Sequence, residues 1–187
     1  MTQPRADHIA IASRVPEGAR VIDVGCSEGA LLSLLRDTRH VDARGLELSS
    51  AAAGQALARG LSVIQGDAEN DLELFPDDSF DVAILSHAIQ NMRDPARMLA
   101  ELRRIAPDML VSFTNYGHWR RRLYLMLRGK MPGQDVWHHA DTLHPCTASD
   151  LVALARESGL GVAAAAPMSG GHVGSFRLGG LGALNWT

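Results

Sequence analysis

The feature that most constrains the fold is a regular alternation of short apolar segments with segments of helical character. The apolar segments are rich in β-branched and aliphatic residues, and each predicts a buried strand: residues 19–25, 43–48, 61–66, 80–86 and 109–113. Two weaker segments, 160–166 and 183–186, predict a sixth and a seventh strand. Because right-handed crossovers join parallel strands, this order predicts a Rossmann-like, doubly wound α/β fold with a mostly parallel seven-stranded sheet.

Helix boundary signals fall between the predicted strands. A first short helix, over residues 5–15, is expected to lie against the sheet edge. Later helices are predicted over residues 30–36, between an N-cap at Ser49 and a stop at Gly60, from Asp94-Pro95 to residue 106, and from the capping box at 147–150 to Ser158. The sequence contains neither an internal repeat nor a linker, so residues 1–187 are predicted to form one domain.

Composition narrows the class of protein. Hydrophobic residues make up 46% of the 187 residues, enough for a sizeable core. The net charge of −3 gives no global attraction to nucleic acid or to an anionic membrane. Two cysteines, Cys26 and Cys146, are too few for a disulfide framework and suit a reducing compartment. With no secretory signal and no apolar run long enough to span a bilayer, a cytoplasmic location is expected.

A glycine loop follows the first predicted strand. Gly25 and Gly29 bracket a tight turn between strand and helix, where a backbone without Cβ atoms can approach a ligand closely. In doubly wound sheets, ligands bind at this carboxyl edge. Ser27 occupies the position at which a dinucleotide fingerprint has its second glycine, which disfavours NAD or FAD.

Three carboxylates are expected near this loop. Glu47 ends the second predicted strand, where an acidic residue can accept hydrogen bonds from both ribose hydroxyls. Asp67 follows the third strand and is expected to reach an adenine amine, and Asp23 is expected beside an ammonium group. A ligand with an amine, a sulfonium and no phosphate fits this set, so S-adenosylmethionine (or S-adenosylhomocysteine) is the predicted cofactor. Alternatively, each carboxylate is an ordinary polar strand end.

The predicted cofactor contacts are Asp23, Gly25, Cys26, Ser27, Gly29, Glu47, Leu48, Asp67, Ala68 and Ser86. His87 and His118 stand just past the fourth and fifth predicted strands, where a methyl acceptor would bind, and are the candidate general bases. Local hydrogen bonding or plain solvation is the alternative for both histidines. Cys26 is interpreted as a packed apolar residue rather than a nucleophile.

The chain resembles the class I methyltransferase family in the run from Asp23 to Gly29, then Glu47, Gly66-Asp67 and Phe80-Asp81. A narrower resemblance, to the methionine-biosynthesis protein MetW family, extends over residues 63–67, 75–81, 84–86, 111–120, 129–132 and 144–147. Its most distinctive stretch is Asn-Tyr-Gly-His-Trp-Arg at 115–120. This resemblance implies a methyltransferase fold and work alongside homoserine O-acyltransferase in methionine synthesis.

Residues 117–146 are predicted to form a lid or a docking insertion. Residues 117–129 can form a helix with aromatic and aliphatic side chains and several arginines. A nucleic-acid patch around Arg120, Arg121 and Arg122, or a membrane-surface helix, is less favoured because the rest of the chain is acidic. The His and Cys residues at 138–146 match no zinc spacing, so no metal site is predicted.

Two functions therefore remain. The first is an S-adenosylmethionine-binding partner or regulatory subunit of homoserine O-acyltransferase. The second is a methyltransferase acting on a small molecule, whose acceptor pocket would be bounded by His87, His118 and Trp119. Whether the protein is an enzyme is left open by the residues.

Overall fold

A five-stranded parallel sheet forms the centre of the computed structural model, which describes residues 5–132, 142–169, 172–174 and 177–178. Its strands are β1 (Arg20–Val24), β2 (Asp42–Glu47), β3 (Ser62–Gln65), β4 (Val82–Ser86) and β5 (Asp108–Ser112), in the spatial order β3-β2-β1-β4-β5. The order reverses beside β1, so the switch point of the winding lies where β1 meets β4. The predicted doubly wound α/β arrangement is thus confirmed for these strands.

The helices are α1 (Ala6–Ala12), α2 (Ala30–Arg39), α3 (Ser50–Ala58), α4 (Ala68–Asp71), α5 (Pro95–Ile105), α6 (Trp119–Arg128) and α7 (Ala148–Glu157). The starts of α3, α5 and α7 follow the predicted signals, whereas the short α4 was not predicted. Ser49 Oγ accepts a hydrogen bond from the Ala52 amide at the start of α3, and Asp94 caps α5 with proline at its first position. Thr147 and Asp150 form the predicted capping box of α7.

Alternate residues of the strands pack against helices on opposite faces of the sheet. Ile22, Val24 and Leu85 pack with the apolar side of α5 in one cluster. Val21 and Ile84 pack with α1 and α2 in another. Both clusters are almost free of solvent, as expected for a parallel sheet covered on both faces.

Helix α1 lies over the middle of the sheet and not at its edge. Ile11, Ala12 and Val15 pack in the same cluster as Val21 and Ile84, which belong to the two central strands. The expected edge position was therefore wrong. The apolar residues of this segment fall on one side, and burying them requires a sheet face.

The seven-strand count is not confirmed. Over the described residues, the remaining strands are four two-residue segments that form separate antiparallel pairs: β6 (Ala164–Ala165), β7 (Met168–Ser169), β8 (His172–Val173) and β9 (Arg177–Leu178). Alanine dominates the predicted sixth strand and has a low strand propensity, which accounts for its short β6. The predicted seventh strand, 183–186, lies outside the described residues.

Helix α6 follows β5, as predicted for residues 117–129. It begins after His118 and ends at Gly129, whose φ of 61° is left-handed. Within the described ranges, no helix is long and apolar enough to cross a membrane.

Substitutions at two glycines test how closely the start of α2 packs against its neighbours. Gly29 has φ +76°, and a Cβ there would overlap Leu61 Cδ1 and lie 3.1 Å from Ala56 Cβ. Gly29→Ala should therefore lower the free energy of unfolding by about 3 kcal/mol. Gly18 has φ +71° but nothing within 4 Å of its Cβ position, so Gly18→Ala should cost only about 1 kcal/mol. Urea unfolding compares them, and equal losses would contradict the packing described.

Candidate functional site

The centre of the candidate site is Asp23, near the carboxyl end of the central strand β1. It aligns with Gly45 of β2 on one side and Ile84 of β4 on the other. The side chain is almost inaccessible, because the residue is only 1% exposed. A carboxylate is rarely buried to this degree without a partner that stabilises its charge.

Asp23 has no such partner in the part of the chain that the structure describes. Its Oδ1 atom is buried and accepts no hydrogen bond from these residues. Burial, with a further contribution from the negative charge of Glu47, raises the pKa of Asp23 to about 7. A cation placed against Oδ1 would supply the missing interaction and favour the ionised carboxylate.

The glycine loop turns directly above this carboxyl group. Gly25 has φ 75°, and its amide donates to the Leu46 carbonyl at 2.8 Å. A Cβ on Gly25 would lie 3.2 Å from Ala88 Cβ, so the loop and the segment after β4 face each other closely. Gly29 completes the turn into α2. The loop is therefore narrow, and at Gly25 it packs closely against the segment that follows β4.

Ser27 also adopts a left-handed conformation, with φ 49°. This conformation costs a non-glycine residue roughly 1 kcal/mol. In return, the Ser27 amide donates to Glu47 Oε2 at 2.8 Å. The loop therefore has a left-handed residue at Ser27 without a glycine there.

Glu47 joins two loops at the carboxyl end of β2. One oxygen accepts from the Ser27 amide and the other from the Ser49 amide, both at 2.8 Å. The carboxylate is thus held in place by two backbone donors. Each oxygen can accept a second hydrogen bond, for instance from a ligand hydroxyl.

Cys26 and Leu48, two predicted cofactor contacts in this region, differ in solvent exposure. Cys26 is 6% exposed and packs with Leu32, Ala56 and Leu61. Burial, together with the charges of Asp23 and Glu47, raises the pKa of its thiol to about 12. A thiol held protonated is a poor nucleophile, which supports its interpretation as a packing residue. Leu48 is 66% exposed at the rim.

Asp67 and Ala68 follow β3 as expected. The Asp67 carboxylate caps α4, because Oδ1 accepts from the Glu69 amide at 3.0 Å and Oδ2 from Asn70 Nδ2 at 2.9 Å. The carboxylate is therefore already bound within its own helix. Ala68 packs against the cluster that includes α5.

Ser86 and His87 lie at the end of β4, beside β5. Ser86 Oγ is 3.3 Å from Ser112 Oγ, and the His87 amide donates to the Ser112 carbonyl at 3.0 Å. His87 has φ 54°, a left-handed conformation that is uncommon for residues other than glycine. These contacts fix the direction in which the imidazole leaves the strand.

Sequence reasoning missed the partner of this imidazole. His87 Nε2 lies 3.3 Å from Oδ2 of Asp7, which is 7% exposed on α1. Arg5 binds the same carboxylate with two nitrogens, at 3.0 and 2.6 Å. Since Asp7 and His87 are 80 positions apart, no local pattern predicts their pairing. The available sequence signal was Asp7 itself, an acidic residue among the apolar residues of a predicted helix.

The contact between Asp7 and His87 bears on the protonation and the tautomer of the His87 imidazole. Burial lowers the pKa of His87, and the charge of Asp7 opposes that shift only in part. The imidazole is therefore mainly neutral at pH 7. Because an ionised carboxylate only accepts hydrogen bonds, Nε2 is assigned the proton and Nδ1 is left as the basic nitrogen. A neutral imidazole oriented by a carboxylate is suited to accept a proton.

The second candidate histidine, His118, precedes α6. Among the described residues, its buried Nε2 atom has no hydrogen-bond partner. Burial and the charges of Arg120 and Arg121 lower the pKa of His118. Its ring lies 5.8 Å from that of Trp119.

Gln90, which sequence reasoning also missed, connects the segments around β5. Its Nε2 donates to the carbonyls of Thr114 and His144, both at 3.1 Å, and its Oε1 accepts from the Thr114 amide. Cys146 Sγ is 3.5 Å from the same nitrogen. His138, His139 and Asp141 lie outside the described residues. In the ranges that are described, no three His, Cys, Asp or Glu side chains are arranged to hold a metal.

Comparison with known proteins decides the family. The model of the family "Methionine biosynthesis protein MetW" matches residues 5–177. The chain belongs to the MetW family. The resemblance inferred from the residues is thus confirmed.

A curated relative of this MetW-family chain is the "Bifunctional methionine biosynthesis protein MetXA/MetW" of Rhodopirellula baltica. The two are 28% identical over an alignment of 134 positions, and the match covers 67% of this chain. The match covers only 22% of the relative's length, so the chain spans less than a quarter of that protein.

Solved structures share the fold. An S-adenosylmethionine-dependent methyltransferase of Thermotoga maritima is 22% identical, with a TM-score of 0.69 over 93% of this chain and 81% of the other. Similar enzymes from Archaeoglobus fulgidus (16% identity, TM-score 0.62, 81% and 68% covered) and Mesorhizobium loti (19%, 0.60, 87% and 83%) agree. At this identity the likeness establishes a methyltransferase-type fold for the MetW-family chain.

The buried Asp23 predicts a pH-dependent effect on stability. With its pKa raised to about 7, the folded state retains a proton that the unfolded state releases above its ordinary pKa, so stability falls as pH rises through that window. Asp23→Asn does not titrate and should be more stable than wild type by on the order of 2 kcal/mol at pH 8. The gain should shrink toward about pH 4. Urea unfolding at both pH values measures it, and a gain independent of pH would contradict the account.

The Asp7–His87 pair makes a second prediction. Asp7→Asn removes a charge that favours the imidazolium, so the pKa of His87 should fall further below its ordinary value. An NMR titration of the imidazole would follow it. Asp37→Asn, which removes an exposed carboxylate paired with Arg36, is the control and should leave the pKa of His87 unchanged. A pKa equally unaffected by Asp7→Asn would rule out the contact.

Proposed function

We propose that the chain binds S-adenosylmethionine, or S-adenosylhomocysteine, in the crevice at the carboxyl ends of β1, β2 and β4, and acts with homoserine O-acyltransferase as a partner or regulatory subunit in methionine biosynthesis. The observation that carries the ligand assignment is the buried, unpartnered Oδ1 of Asp23. Membership of the MetW family supports the pathway.

The ligand's ammonium group fits Asp23. An ion pair in a site that excludes water is far stronger than one at the surface, provided that both charges are paired. The free protein bears the cost of the buried carboxyl group, and the bound ammonium would relieve it. The amino-acid tail would lie along the loop backbone between Gly25 and Gly29, both of which have positive φ.

The rest of the ligand has matching groups. Glu47, held by the Ser27 and Ser49 amides, retains acceptor capacity for the ribose hydroxyls. Cys26, Leu48, Ala68 and Ser86 are proposed to border the adenosyl group. Asp67 would receive the adenine amine on an oxygen that already caps α4.

The partnership rests on the name of the curated relative. That Rhodopirellula baltica protein is called bifunctional MetXA/MetW, a name that joins two activities in one chain. Two proteins that work together gain from fusion because their effective concentration rises. This chain would then supply the MetW part as a separate subunit for homoserine O-acyltransferase.

Regulation by the ligand follows from the same arrangement. S-adenosylmethionine is made from the pathway's product, so its binding would report supply. If the ligand changes the affinity for the acyltransferase by some factor, the acyltransferase must change the ligand's affinity by that factor.

Methyl transfer to a small molecule is the alternative, and the Asp7–His87 pair specifically favours it. Methyl transfer from a sulfonium is an in-line displacement accelerated mainly by positioning, with a general base needed when the acceptor carries a proton. His87 Nδ1 could take that proton while Asp7 holds Nε2. His118 is the second candidate base on this account.

Isothermal titration calorimetry tests the ligand. Wild type should bind S-adenosylmethionine, and Asp23→Asn should weaken binding by roughly 30-fold or more, because an ion pair shielded from solvent is worth at least about 2 kcal/mol. Asp37→Asn, an exposed carboxylate far along α2, should bind as wild type does. Absence of binding to wild type would refute the assignment.

Co-purification with homoserine O-acyltransferase tests the role. The two proteins should associate, and acyltransferase activity should depend on this chain and respond to S-adenosylmethionine. If the pair never associates and a methylated small molecule accumulates instead, the methyltransferase alternative is correct.

A further inference from the structure

The apolar stripe of α6 faces solvent. Trp119, Leu123, Met126 and Leu127 recur at the spacing that places residues on one side of a helix. They are 49%, 40%, 73% and 70% exposed, respectively. None of the residues in Trp119–Arg128, all of which the structure describes, is buried.

An arginine anchors the opposite side of this helix. Arg121, half-buried, lies with its guanidinium 4.7 Å from the centre of the Tyr116 ring and donates to the Pro132 carbonyl at 3.4 Å. A surface helix ordinarily buries its apolar side and exposes its charges. In α6 this arrangement is reversed, and a contiguous exposed apolar patch with a polar rim is typical of an interaction site.

Basic residues of α6 flank the stripe. Arg120 and Arg122 flank it, and Arg120 lies 5.4 Å from the centre of the Trp119 ring. Residues 117–132 contain five basic residues and no acidic one, while the rest of the chain has 13 basic and 21 acidic residues, a net charge of −8. A local charge opposite to that of the remaining chain selects an acidic partner surface.

We propose that this stripe is the docking surface for a protein partner whose apolar groove is edged by carboxylates. The inference rests on the proposed function, under which that partner is homoserine O-acyltransferase. A second copy of the chain fits less well. Pairing two stripes about a twofold axis would bring the basic segments 117–132 of both copies together, and these segments offer no carboxylate to compensate.

The position of α6 connects docking to the ligand crevice. The helix follows β5, whose Ser112 contacts both Ser86 and the His87 amide. Tyr116, which supports Arg121, donates its amide to the Cys146 carbonyl at 3.0 Å. A partner that shifts α6 therefore acts on the end of β5, one contact from the proposed site.

The test measures binding of the purified full chain to homoserine O-acyltransferase. Met126→Glu combined with Leu127→Glu changes the two most exposed residues of the stripe and should weaken association at least about tenfold. Leu74→Glu is the matched control, since Leu74 is 79% exposed on another surface, and should bind as wild type does. Arg120→Gln with Arg122→Gln should weaken binding and reduce its salt dependence.

The outcomes separate this inference from the proposed function. S-adenosylmethionine affinity, measured on the same variants, should match wild type. Association unchanged by the double glutamate variant, or equally weakened by Leu74→Glu, would overturn the docking surface. A third outcome would also overturn it: the double glutamate variant still associates with the acyltransferase but loses a binding to phosphatidylglycerol vesicles that wild type and Leu74→Glu retain. If wild type binds ligand but never the acyltransferase, the partnership and its surface fail together. If association depends on the stripe but ligand binding is absent, only the ligand assignment fails.

Discussion

The candidate site depends on one unfavourable feature, a carboxyl group without a partner that is buried in the middle of a close-packed sheet. Asp23 is 1% exposed, and its Oδ1 accepts no hydrogen bond from the described residues. Such a group destabilises the ligand-free protein at neutral pH, and proteins retain costs of this kind mainly at functional sites. The surrounding sheet must be rigid enough to hold it, which the apolar clusters on both faces provide.

The sheet and its ligand edge could be predicted from the sequence because their determinants are local. Strands β1, β3, β4 and β5 are short segments with β-branched residues, and each of α3, α5 and α7 starts at a recognisable cap. In a parallel sheet, the ends of such strands meet at one edge, so the positions of Asp23, Glu47 and Ser86 followed from the strand boundaries alone. Their roles toward a ligand remain predictions.

The contacts that could not be predicted from the sequence depend on long-range packing. Asp7 reaches His87 only because α1 folds over the middle of the sheet, and Gln90 meets Thr114 and His144 only in the folded chain. The sixth strand was overestimated because an alanine run is compatible with several structures. Ser27 was treated as the loss of a glycine, whereas its left-handed backbone and its hydrogen bond to Glu47 retain the turn.

The pairing of Asp23 with the ligand's ammonium group can be measured as the number of protons released when S-adenosylmethionine binds, obtained from calorimetry in buffers of different ionisation enthalpy. In the free protein, burial raises the pKa of Asp23 to about 7, and pairing with an ammonium group should lower it sharply. Close to one proton should therefore be released per ligand at about pH 6, falling toward zero above the pKa of the free carboxyl. Tight binding with no proton release at any pH would show that Asp23 does not receive the ligand's charge.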